Sequence, residues 1–432
     1  MENMPAKRPH PAAEFHHAYL AALRSQTEPA HVLAGVLARK LREQGIDGSK
    51  HFAAIKRAAE QLLSAPSAAD KSSFDLALDD KITSGRNVTI HLDGTDLELV
   101  VEGITSVIEA ASQDIFGSLS EAALQDVLKN PAARLLHLRN ERDAFMRRLE
   151  LTWAEPFKLL DIHVALCEEI GEVRNDWLRS QRRRARDIAV VDVVTRLHGR
   201  AVQVAGEVQA LLRNGFADGA MSRWRTMHEL TVTAMLIAER GPDVAERYIA
   251  HVDADSIKSA RQYQRFATLL QHRPISARIQ KRLDALAVDL ERKYGKPFLN
   301  DYGWAADTLR NPNPTFASIE AAVDLNRLRP YFKLASNTVH ASAKGTFFRL
   351  GVLGDQDGIL AGASNVGLQE AGRLAALSLA QITTVLLLIH PNTDSIIWSR
   401  VLGGLSSKVE LQFVRVQRRI EREERQLRKG EA

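Results

Sequence analysis

The chain is poor in the residues that advertise a particular chemistry, and each scarcity removes a class of protein. A single cysteine, Cys167, stands among 432 residues. No disulfide framework and no cysteine-ligated zinc site can be built from it, so a reducing, cytoplasmic setting is expected. Neither charge sign dominates. With 58 Lys and Arg against 53 Asp and Glu the formal net charge is +5, a mild basic excess that decides nothing about nucleic acid. Long apolar runs are also missing. The best membrane candidate, Leu374–Ile389, has sixteen residues and is broken by Ser378, Gln381, Thr383 and Thr384. It falls short of the roughly 20 residues that cross a bilayer, so it reads as a buried bundle helix. The first twenty residues lack the apolar stretch of a secretory signal. Phosphate-loop, dinucleotide, zinc-protease and hydrolase-elbow motifs are absent, which removes the commonest NTPase, dehydrogenase, zincin and α/β-hydrolase readings. The Glu-x-x-His spacings at Glu14–His17 and Glu28–His31 lack the further glutamates of a di-iron bundle, so neither a metal nor a cofactor is expected.

What is present is helix. Hydrophobic residues make up 45% and charged residues 26%, ordinary globular values that confine disorder to the ends. The expected class is all-α: a multi-helix bundle preceded by a helical N-terminal region that carries one β-hairpin. Residues 1–13 read as a flexible start, 14–130 as the helical region, 131–400 as the bundle and 401–432 as a charged C-terminal helix that could pair with another subunit. Thr27-Glu28-Pro29 offers a capping hydroxyl and a first-turn proline. The hairpin is expected over 88–100. Val88, Ile90 and Leu92 alternate on one strand, Leu97 and Leu99 answer them, and Asp93-Gly94 suits the tight turn. In the bundle, Val190, Val194, Leu197, Ala201, Val204, Val208 and Leu211 recur at steps of four and three, one apolar seam along a long helix. Asn214-Gly215, Gly241-Pro242 and Gly295 mark successive helix ends. Cys167 lies on an apolar helix face, where core packing is the expected role.

Four segments, in order, carry a resemblance. They are "MSRWRTMHELTVTAMLIAE" from Met221, "KYGKPFLNDYGWAADTL" from Lys293, "LASNTVHASAKG" from Leu334 and "AGASNVGLQEAG" from Ala361. Over roughly 150–400 the sequence resembles the bacterial family of domain of unknown function 5677. That resemblance implies an Arg-x-x-x-Glu step at Arg225 and Glu229, a Tyr-Gly-Trp-Ala segment at Tyr302 to Ala305, and a Ser-x-x-x-His step at Ser336 and His340. His228, inside the first motif, stands where an apolar residue is expected. The family has no settled activity, so the resemblance implies a fold more than a function.

The residues themselves leave two roles open at each motif. Arg225 and Glu229 share a helix face, either as an internal ion pair or as the polar wall of a cleft. Ser336, Asn337 and His340 would share a stripe, and with Tyr302 and Trp304 they could line a ligand pocket. His340 is the side chain suited to proton transfer near neutral pH. Arg225, Glu229 and His340 are therefore the leading catalytic candidates. Arg223 and His228 match the Arg-x4-His spacing of HEPN-type ribonucleases, although an ideal helix sets them about 140° apart. Arg179, Arg182, Arg183, Arg184 and Arg186 put five arginines in eight residues. They form either a solvated face or a contact for RNA or an acidic protein partner. The favoured reading is an interaction or sensing module in a stress or mobile-element defence setting, with no membrane partner and with self-association allowed. The alternative is a metal-independent, HEPN-like ribonuclease using Arg and His in a bundle cleft.

Overall fold

The structure, a computed structural model, describes residues 28–47, 51–64, 73–76, 88–91, 96, 116–129, 131–180, 185–354 and 359–430. Its contacts divide the chain into two compact units, 1–138 and 139–432.

In the first unit, α1 (Pro29–Glu43) and α2 (Phe52–Ser64) pack through Ala34, Leu37, Leu41, Ile55 and Ala59, all fully buried. Proline opens α1 as expected, but the residue before it is Glu28. Its side chain makes no cap and instead binds Lys56 of α2 at 2.8 Å. Thr27 lies outside the described residues. β1 (Ser73–Leu76) and β2 (Val88–His91) pair antiparallel, with Phe74 opposite Ile90. Ile90 is buried between exposed Thr89 and His91, so the alternation holds. The expected hairpin over 88–100 is not shown, since most of it lies outside the described residues. The described partner of β2 precedes it, and the Asp93-Gly94 turn with Leu97 and Leu99 lies outside the described residues. Asp96, which an answering strand would hold extended, is helical, buried and paired with Lys40 at 2.9 Å. A further helix, α3, covers 116–128.

The bundle is built from α4 (Pro131–Ser180), α5 (Ala185–Arg213), α6 (Ala217–Arg240), α7 (Pro242–Phe266), α8 (Ala277–Tyr294), α9 (Phe316–Ala322), α10 (Arg329–Val339), α11 (Ala343–Phe347), α12 (Leu368–Leu388) and α13 (Thr393–Gly430). The expected seam is the buried face of α5, from Val190 through Val208. α4 kinks at Trp153 (φ −109°, ψ 18°) because Pro156 has no N–H to give the carbonyl of Thr152. Arg419 of α13 donates to that carbonyl at 3.1 Å.

α12 is the central helix and packs against α5, α6 and α13. It begins at Leu368, so its 21 residues are long enough by length and composition to cross a membrane, contrary to the sixteen-residue reading. Two-thirds of its apolar window (67%) is buried inside the bundle, the place expected for it. Buried Arg174 of α4 caps its C-terminal end, donating to the carbonyls of Ile389 and of His390, the latter at 2.7 Å. The C-terminal segment differs from expectation. α13 runs unbroken through 400 and 401, and Leu402, Val409, Phe413 and Val416 are buried, so its first half belongs to the core. Cys167 is fully buried, and burial pushes its thiol up to about 12, so it is the core residue expected.

Candidate functional site

Four helices, α5 through Leu197 among them, and one strained turn make a cleft. α6 contributes Thr226, Glu229 and Thr233, and α7 contributes Tyr248, His251 and Asp255. The segment 301–304 supplies Asp301, Tyr302 and Trp304, and α9 supplies Phe316. The cavity holds about 480 Å³. On α7, Tyr248, His251 and Asp255 are three and four residues apart, one helix face.

The Tyr-Gly-Trp segment is held by its backbone. Tyr302 sits in the left-handed region at φ 55°, costly for a residue with a side chain. Gly303 follows because a Cβ there would collide with the carbonyl oxygens of Pro297 and Phe298. Trp304 is thereby buried, meeting Tyr248 edge-on with ring centroids 5.1 Å apart. Tyr302 stays half-buried, 6.4 Å from Phe316.

Arg225 and Glu229 form the pair the spacing suggested, at 3.3 Å, with side chains 25% and 33% exposed. The guanidinium also lies over the Phe332 ring, 4.7 Å from its centroid, and Arg329 lies 5.0 Å from the same ring. Burial raises the Glu229 carboxyl above its ordinary range, and Arg225 returns only part of that cost. Burial, and then the charge of Glu229, likewise raises the Tyr302 phenol.

Beneath the cleft runs a chain that the sequence reading missed. His228 Nε2 lies 2.8 Å from Glu320 Oε1, and both side chains are fully buried. Arg329 donates to the other carboxylate oxygen at 3.1 Å. The carboxylate only accepts, so the imidazole carries its proton on Nε2. Its Nδ1 is buried without a hydrogen-bond partner. Burial lowers the His228 pKa, Glu320 opposing. Trp224 stacks on the ring at 5.3 Å and Phe316 meets it edge-on at 5.8 Å. The signal was a lone carboxylate in "FASIEAA", four residues after Phe316 on an apolar helix.

Other candidates are not brought to the cleft. Arg223 pairs with Glu207 of α5 while His228 faces Glu320 of α9, so the two diverge as helical geometry requires. His340 does not continue the Ser336–Asn337 stripe. α10 ends at Val339, and His340 is exposed in an extended conformation (φ −105°, ψ 150°). Ser336 donates to the carbonyl of Phe332 at 2.8 Å, and Asn337 takes part in the turn around Ser342. That turn needs Gly345, where a Cβ would collide with the Asn337 carbonyl oxygen. The "SNTVHASAKG" motif is thus a helix-ending turn. "AGASNVGLQEAG" is likewise structural: Asn365 accepts from Trp153 Nε1 at 3.0 Å, and Ser364 N–H donates to Gly215 at 2.9 Å. Of the arginine run, Arg179 is exposed and donates to Asn175 at 3.1 Å. Arg182, Arg183 and Arg184 lie outside the described residues, and only the backbone of Arg186 is described, within α5.

The cleft, its aromatic walls and the buried His–Glu–Arg chain define a helical-bundle domain with a polar recess. Residues 191–358 match the model of the Family of unknown function (DUF5677), the family that the motifs resemble. The match contains every cleft residue and stops before the "AGASNVGLQEAG" segment. No curated protein and no solved structure matches the chain.

Proposed function

We propose that the protein is an interaction or sensing module whose recognition element is the aromatic cleft between α6, α7 and the Tyr302–Trp304 turn. One observation carries this reading: the cleft has aromatic walls suited to grip a ligand, and its ionisable groups are engaged by neighbours, His251 by Asp255 at 3.4 Å and by the Asn300 carbonyl at 3.0 Å. Arg225 is engaged by Glu229 and Phe332, and His228 is sealed behind Glu320. Glu229, Asp255 and Asp301 all line the recess, and their carboxylates disfavour a phosphodiester. Geometry that would support the HEPN-like alternative is missing, because Arg223 and His228 face different helices.

The test combines two measurements on purified protein. Wild type is incubated with single-stranded RNA, with EDTA or with added magnesium, and no cleavage is expected. Thermal melts are then run against a panel of small organic cations, anions and neutral compounds. At least one compound should raise the melting temperature saturably in wild type and not in Tyr302→Ala. A ligand at about 100 times its Kd adds roughly 2.7 kcal/mol, a shift of several degrees. RNA cleavage that disappears in His228→Ala would overturn the reading.

A further inference from the structure

One stretch of the surface is of a single charge sign. From Ser259 to Leu283 the chain holds Arg261, Arg265, Arg273, Arg278, Lys281 and Arg282 and not one aspartate or glutamate. This stretch is the tip of the helical hairpin made by α7 and α8, and all six side chains are exposed. Among the described residues only Arg261 of the six reaches a carboxylate, that of Asp284 at 3.8 Å. At the apex stand Leu269 and Leu270, 79% and 58% exposed. The apex is therefore apolar and its flanks are cationic.

Backbone and side-chain bonds hold this apex in shape. Leu270 N–H donates to the Phe266 carbonyl at 3.0 Å, so the helical path continues past Phe266. Leu269 thereby extends the Arg261–Arg265 stripe at a step of four. Gln271 then takes the left-handed conformation at φ 56°, and His272 N–H returns to the Ala267 carbonyl at 2.8 Å, a Schellman-type helix end. Tyr263 stacks on His272 with ring centroids 6.1 Å apart, and its hydroxyl donates to the Arg273 carbonyl at 3.0 Å. On α8, Arg278, Lys281 and Arg282 share one face at steps of three and four. We propose that this tip docks on an anionic lipid bilayer, with Leu269 and Leu270 entering the boundary between headgroups and acyl chains and the cations on lipid phosphates. Positive charge without neighbouring carboxylates selects an anionic partner, and arginine takes phosphate oxygens in pairs. The leucines decide between anionic partners. A bilayer buries them, whereas the phosphates of a nucleic acid offer them nothing, and the nearby Tyr263 ring is already stacked on His272. The expectation of no membrane partner concerns a spanning segment, and docking of this kind needs none. The inference is independent of the cleft reading.

The test is co-sedimentation of the full-length protein with vesicles of phosphatidylserine in excess phosphatidylcholine, against vesicles of phosphatidylcholine alone. Wild type should bind the anionic vesicles saturably, leave the neutral ones in solution, and bind more weakly as salt rises. The triple variant Arg278→Gln, Lys281→Gln, Arg282→Gln should weaken binding roughly a hundredfold, about fivefold for each charge removed near the surface. The double variant Leu269→Ser, Leu270→Ser should weaken it at least tenfold while the salt dependence remains, because only the inserted apolar area is lost. All five positions are exposed, so the melting temperature should hold in both variants. Absence of binding to the anionic vesicles overturns the proposal, as does binding that ignores either variant. It is equally overturned if the protein ignores vesicles but binds single-stranded RNA, loses it in the triple variant and keeps it in the leucine variant. The tip would then be a nucleic-acid contact.

Discussion

Two of the places where the bundle buries histidine solve the same problem differently. His228, between α6 and α9, is given a carboxylate and, through it, the guanidinium of Arg329. His198 and His163, between α4, α5 and α12, are given only neutral partners. His198 Nε2 meets the Thr383 hydroxyl at 3.0 Å, and His163 Nε2 meets the Ala376 carbonyl at 2.9 Å. All three imidazoles are pushed toward the neutral form by burial. The charged network ties three helices through ions that cannot be removed singly. The neutral one ties them through bonds that each cost little to lose but forbid a proton.

The largest effect should come from breaking the charged network. Glu320→Ala leaves the sealed His228 N–H and the partly exposed Arg329 guanidinium without their acceptor, and a loss of about 3–5 kcal/mol is expected. Thr383→Val, which removes the hydroxyl from His198, should cost only about 1–3 kcal/mol. Chemical denaturation of both variants compares them, and equal losses would erase the distinction.

Acid should act next, and on the neutral network. Burial lowers His198 from 6.5 to about 4. The unfolded chain therefore binds this proton more readily than the folded one. Stability is complete above pH 6.5, falls as pH drops through 6.5, and the loss levels off below about 4. The limiting loss is on the order of 3 kcal/mol. His198→Gln should flatten the stability profile over that window by a similar amount. Parallel profiles for wild type and variant would refute the assignment.

The smallest effect is expected at the cleft. Glu229 is half-buried, and burial already disfavours its charge, so Glu229→Gln should change stability by less than about 1 kcal/mol. A loss of several kcal/mol in a thermal melt would mean that the pair locks helix register, and the cleft would lose its best claim to a recognition role.

Local periodicity made the helices legible. The α5 seam, the Gly241-Pro242 stop and the Gly295 break follow from the 3.6-residue repeat and from backbone chemistry that needs no tertiary information. Half of the cleft was legible for the same reason, because Arg225 and Glu229 share a face on any helix. Tyr248, His251 and Asp255 were equally readable at helical spacing and went unnoticed. The placement of His340 was not legible. Ser336, Asn337 and His340 align only if the helix continues, and it stops because the backbone at Gly345 approaches Asn337, a contact that no spacing announces. The strand partner of β2 was hidden similarly. Asp93-Gly94 favours a turn locally, while pairing with residues 73–76 is a choice between distant segments.

The central position of α12 has a consequence for how the chain comes off the ribosome. Residues 191–358, the span shared with the family, include Met221 and Trp224, fully buried on α6. The Trp224 indole donates to Ser378 on α12 at 3.1 Å, and the Thr231 hydroxyl reaches the Ser378 carbonyl at 3.2 Å. Synthesis runs from the N-terminus, so α5 and α6 emerge with this face open and wait for residues 368–388 to close it. A nascent chain stalled before α12 therefore displays tryptophan and methionine to solvent, a surface for chaperones to hold. Translation rate across 359–388 thus governs how long the half-built bundle remains exposed to aggregation.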